Sequence, residues 1–134
     1  DSIKKDKDFI NYKKAKEIYT QPNSLEKKIL LNYKNNLKKL RNILEIKKII
    51  PIFITQIRYD GNGEKILYYL NEELKNFALL NKYRIIPLDE FVNEDIRHLF
   101  FDEVHTNKEG SLYLANKIYP SLKRILQSDL IKKK

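Results

Sequence analysis

Residues 48–56 read KIIPIFITQ. An unbroken β-branched and aromatic run of this kind predicts a strand covered on both faces, because a half-exposed strand alternates apolar and polar residues. Pro51 has no N–H to give to a ladder, which places it at the first residues of the strand. The next residues, IRYDGNG (57–63), carry turn chemistry at Asp60–Gly61 and Asn62–Gly63. A helix follows from about Glu64 to Asn81, with Leu67, Leu70, Leu74, Phe77 and Leu80 at helical spacing on one face. RIIPL (84–88) is a second short buried strand, and residues 89–101 read as a loop with one helical turn.

On the N-terminal side, QPNSLE (21–26) is a helix start in which Asn23 caps and Glu26 reaches back. Ile29, Leu30, Tyr33, Leu37, Leu40 and Leu44 then mark the buried face of a long amphipathic helix. Residues 1–22 are charged and weakly patterned, with Phe9, Tyr12 and Ile18–Tyr19 suggesting a short helix. At the other end, TNKE (106–109) reads as a capping box between Thr106 and Glu109. The closing helix carries a stripe of Ala115, Ile118, Tyr119, Leu122, Ile125 and Leu126, and Pro120 is expected to kink or break it. Residues 128–134 should fray.

The order helix–strand–helix–strand–helix predicts an α/β layer with a parallel sheet and right-handed crossovers. Two apolar parallel strands need neighbours and helices on both faces. The expectation is therefore that residues 1–134 form a single domain or a fragment of one. Residues 1–22 would be a poorly patterned segment and 23–127 the α/β part, with missing N-terminal strands supplied by a larger domain or a partner chain.

The chain has no cysteine, which excludes disulfides and thiolate metal sites, and its two histidines, His98 and His105, lack a metal-ligand spacing. No metal is expected. The chain opens on Asp1 without a signal-peptide pattern or a methionine, so its compartment is not legible from this end. The net charge is +9, which raises nucleic acid as a partner. NYKKAKEIY (11–19) and NYKNNLKKLRN (32–42) interleave tyrosine with lysine, as single-strand binders do. Yet Tyr33 falls on the apolar stripe, no glycine-rich phosphate loop is present, and the lysines are spread along the chain. A solvated basic surface is the stronger reading.

Residues 100–110, FFDEVHTNKEG, place Asp102 three positions before His105. Histidine moves protons near neutral pH, and a carboxylate on Nδ1 fixes its tautomer and stabilises the imidazolium. Phe100 and Phe101 are positioned to shield such a pair. The plainer alternative makes Asp102 a turn residue and His105 a half-buried residue before a helix cap.

At this point the chain resembles the C-terminal part of the SGNH, or GDSL-type, hydrolases. The similarity runs through Asp102-Glu103-Val104-His105, then Gly110, then Leu114-Ala115 and Ile118. IPIFITQ (50–56) and IIPLD (85–89) are similar to two strands of that family, so the likeness spans roughly residues 28–126. The resemblance implies a three-layer flavodoxin-like domain, of which this chain holds the C-terminal part, and a Ser–His–Asp triad with His105 as general base and Asp102 as its orienting carboxylate. It implies no cofactor. The substrate would be a small-molecule or carbohydrate acyl ester, cleaved by a hydrolase or, in a close relative, passed on by an O-acyltransferase; a non-catalytic relative is the further alternative. The family's Gly-Asp-Ser and Gly-x-Asn-Asp blocks are not present in full. Asp1-Ser2 is either the end of the first or, in the preferred reading, Asp1 ends the second. Ser24, Ser111, Ser121 and Ser128 lie on or beside helices and lack a nucleophile's turn. Tyr59 and Asp60, at the carboxyl ends of the strands, would face the pocket unless they are ordinary turn residues.

Overall fold

The computed structural model describes residues 7–132, with side chains described as far as Asp129. Helix α1 (Tyr12–Ile18) is capped by Asn11, whose Oδ1 accepts from the Lys14 N–H. Helix α2 (Ser24–Ile46) starts with the capping box read from the sequence. Asn23 Oδ1 accepts from Glu26 N and Glu26 Oε1 accepts from Asn23 N, each at 2.8 Å. Strand β1 (Ile52–Ile54), helix α3 (Lys65–Leu80) and strand β2 (Arg84–Ile86) form a β–α–β unit. The strands are parallel, with Phe53 opposite Ile85. A short helix α4 (Leu88–Phe91) and a 3₁₀ turn (Arg97–Leu99) lead to the closing helix α5 (Lys108–Lys132).

Both helices that feed a strand end in the same way. Lys48 after α2 and Lys82 after α3 take positive φ (54° and 58°). The next N–H then turns back, from Ile49 to Leu44 O and from Tyr83 to Ala78 O. A left-handed residue of this kind closes a helix while satisfying its last carbonyls.

Side chains in a strand alternate between faces, and the sheet is packed accordingly. Phe53 and Ile85 join Leu37 of α2 and Leu74 and Phe77 of α3 in one apolar cluster. From the other direction α5 packs against β2, with Arg84 Nη2 2.9 Å from Asp129 Oδ1. A second cluster, built on Ile57, Leu88, Val92 and Ile96, packs against Leu114 and Ile118 of α5.

The molecule is therefore a mixed α/β structure, mostly helical, with a two-stranded parallel sheet among the described residues. The three-layer flavodoxin-like arrangement is a finer reading than two strands establish. Immediately after β1, Thr55 N donates to Ile86 O, so by alternation the main chain of Ile54 faces the outer edge of the sheet. One residue further along that edge, Asn71 of α3 supplies what a neighbouring strand would. Its carboxamide accepts from Gln56 N at 3.1 Å and donates to Gln56 O at 2.8 Å.

Several expectations are corrected. The apolar run at 48–56 is a strand only at 52–54, and Ile49, Ile50 and Ile54 are exposed rather than covered on both faces, since no strand lies beyond β1 among the described residues. Ile29 and Leu40 flank the buried face of α2 and are partly exposed. Leu80 is 82% exposed, and the inward face of α3 is Tyr68, Asn71, Leu74, Phe77 and Ala78. On α5, Ala115, Tyr119 and Leu126 point outward, while Leu114, Ile118, Ser121, Leu122 and Ile125 turn inward. The helix runs through Pro120 without a break and continues to Lys132. Lys133 and Lys134 lie outside the described residues. No helix among the described residues is long and apolar enough to cross a membrane.

Candidate active site

The Asp102–His105 loop is closed locally. After the 3₁₀ turn, Phe100 and Thr106 form an antiparallel bridge, and Phe101 N donates to His105 O at 2.8 Å. The start of α5 lies one residue later than the sequence signal. Asn107, not Thr106, is the cap: its Oδ1 accepts from Gly110 N at 2.8 Å, its N donates to Leu99 O, and its Nδ2 donates to His98 O. Thr106 pairs through its hydroxyl with Ser111 at 2.7 Å. Gly110 is required here, because a Cβ would collide with the carbonyl of Leu99.

Inside this loop both oxygens of Asp102 are engaged. Oδ1 accepts from the N–H groups of Val104 and His105, at 2.8 and 2.7 Å, and Oδ2 lies 2.7 Å from His105 Nδ1. The two backbone donors, aided by the imidazole, hold the carboxyl well below the usual carboxylate range. A spacing of three residues is enough for all of this, since the Asx turn brings the carboxylate back over its own chain. The shielding expected from the two phenylalanines does not occur. Phe100 packs into the Ile57–Val92 cluster, Phe101 is 68% exposed, and the side chain of His105 is 74% exposed, not half-buried.

The loop is pinned to the turn after β1. Tyr59 N donates to Glu103 O at 3.1 Å, and Arg58 Nη2 lies 3.1 Å from Glu103 Oε2. Tyr59 and Asp60 do not face an open pocket; they are 1% and 2% exposed. Asp60 is a turn residue whose carbonyl accepts from Gly63 N and Ile10 N. Gly61 takes a positive φ of 67°, with the Phe9 ring and the Ile10 carbonyl filling the place of a Cβ. The segment before α1 thus lies across this turn, a contact that its weak patterning does not announce.

Comparison of the chain with protein-family models, with curated proteins and with solved structures found no match.

Four serines fall among the described residues outside the first turn of the chain, and none hydrogen-bonds to His105. Ser24 opens α2, and Ser111, Ser121 and Ser128 lie along α5. Asp1 and Ser2 lie outside the described residues. The described residues contain no group of three or more histidine, cysteine or carboxylate side chains that could hold a metal ion.

A buried polar cluster at the carboxyl ends of the two strands was not legible in the sequence. Asp89, fully buried, accepts from Thr55 Oγ1 at 2.6 Å and from Lys75 Nζ at 2.9 Å, and Thr55 Oγ1 accepts in turn from Asp89 N. Lys75 also reaches Glu72 and Glu90 at 2.9 and 2.8 Å, and stands 4.2 Å from the centre of the Tyr12 ring. Asn62 Nδ2 donates to Asp89 O. Asp89 occupies the acidic position that ends IIPLD, but its partners Thr55, Asn62 and Lys75 come from three separate segments.

Proposed function

We propose that the protein is an acyl-ester hydrolase of the SGNH type, in which this chain supplies the base and its orienting carboxylate. The observation that carries the reading is the 2.7 Å contact between Asp102 Oδ2 and His105 Nδ1 on an exposed loop. With Nδ1–H donated to Asp102, the lone pair of Nε2 is available to accept a serine proton. The serine comes from residues outside those described. Its Oγ attacks the ester carbonyl as Nε2 takes the proton, and the same proton then passes to the leaving alcohol. The fuller three-layer sheet belongs to this proposal as well: the outer edge of β1, which pairs with no further strand among the described residues, is where strands would add.

The non-catalytic reading has one observation in its favour. The Asx turn accounts for Asp102 Oδ1 without any reference to chemistry. A fluorophosphonate probe, which labels activated serines, separates the two readings in the complete protein. Labelling that is abolished by His105→Ala supports the hydrolase; absent labelling, or labelling indifferent to that change, leaves the turn as the whole role of the loop. Residues 1–134 alone should not hydrolyse a short-chain p-nitrophenyl ester.

A further inference from the structure

Between α2 and α3 runs a groove formed by two adjoining depressions that share Lys34 and Glu73. Its basic wall carries Lys27, Lys34, Lys38 and Arg41, against the single carboxylate of Glu73, which lies 3.6 Å from Lys34. The floor is already committed to the protein's own core: Leu37 and Phe77 are only 6% and 8% exposed. The free apolar surface stands instead on the crests, where Leu31 is 59% and Leu80 82% exposed.

That distribution distinguishes between occupants. A helix or acyl chain seated in the groove would need apolar area at its bottom, and little remains there. Exposed leucines lining the same groove as Lys27, Lys34 and Lys38 match the boundary between headgroups and acyl chains, where apolar tips enter below and cations meet the phosphates.

We infer that the α2–α3 face is a docking surface for an anionic lipid bilayer, with Leu31 and Leu80 entering the interface and Lys27 and Lys38 meeting lipid phosphates. The inference is independent of the Asp102–His105 chemistry. Neither lysine is among the side chains that form an ion pair in the described residues.

Sedimentation with vesicles tests it. The protein should partition onto phosphatidylcholine–phosphatidylglycerol vesicles at low salt and not onto phosphatidylcholine alone. Neutralising a lysine at an anionic surface should weaken partition roughly fivefold, so Lys27→Gln with Lys38→Gln should weaken it about 25-fold. Leu31→Ser with Leu80→Ser should weaken it about tenfold or more, from the lost apolar transfer. All these positions are exposed, and circular dichroism checks that each variant is folded. The proposal is overturned if the protein ignores anionic vesicles, or if Lys13→Gln with Lys14→Gln on α1 weakens partition as much as the groove pair does. It is also overturned if the leucine changes have no effect, which would mean coulombic adhesion of a basic protein, or if the face takes up an acidic helical peptide but no vesicles.

Discussion

Asp102 and Asp89 are both aspartates set against a basic side chain, and they are held in opposite ways. Asp102 sits on an exposed loop, and its partners lie within three residues of it. Asp89 is sealed under α3, and its partners are drawn from residues as distant as Thr55 and Lys75. Backbone donors pull Asp102 below its ordinary value, whereas burial pushes Asp89 up despite its bonds to Thr55 and Lys75. Burial also works against the charge of Lys75, but the hydrogen bonds it donates to Glu72, Glu90 and Asp89 more than offset it and hold the ammonium above its usual value. Local order near water is thus enough to orient an imidazole, while a buried ion pair ties distant segments together.

The largest effect should come from the exposed aspartate, and on rate alone. If the proposed triad operates, Asp102→Asn in the complete protein should lower kcat on the order of 10⁴-fold, because the imidazole loses its tautomer. The unfolding midpoint should barely move, since an asparagine oxygen still accepts from the two N–H groups. Equal kcat in the two proteins would break the comparison.

Next is the buried pair. Lys75→Met leaves Asp89 without its counter-ion and should destabilise the fold by about 3–5 kcal/mol, read from urea denaturation. A loss below about 1 kcal/mol would mean that Thr55 and the backbone satisfy Asp89 unaided.

The smallest effect is that of acid. A carboxyl with a depressed folded value contributes stability above its unfolded pKa of about 4 and loses it as pH falls through the folded value. The Asp102 loop should therefore keep its His105 amide resonance through the ordinary carboxylate range and release it only below that. Asp89 works the other way: its raised value means the folded state takes up that proton first, so acidification through its range favours the fold. Loss of the His105 resonance near pH 4 (about the reference carboxylate value) would show that the turn does not hold the charge.

These contrasts explain what the sequence disclosed. The Asn23–Glu26 cap, the Asp102–His105 contact and the two helices flanking β1 depend on neighbours along the chain, and spacing reveals them. Lys75, Thr55 and Asp89 meet only after the β–α–β unit closes, so nothing in their spacing marks them. Leu80 and Tyr119 fit an apolar period but fall on the wrong side of it. The true inward face of α3 includes Asn71, a polar residue drawn in by the unmatched backbone of Gln56. The cap of α5 moved by one residue because Asn107 competes with Thr106 for the same N–H groups, and its two additional bonds to the 3₁₀ turn decide the contest.

The brevity of β1 has a consequence for self-association. Amyloid-type zippers need about six or seven consecutive residues in cross-strand register. Pro51 offers no N–H at the mouth of this strand, Gln56 is already occupied by Asn71, and only the four residues Ile52–Thr55 lie between them. A sticky isoleucine border is in this way kept too short to seed a fibril.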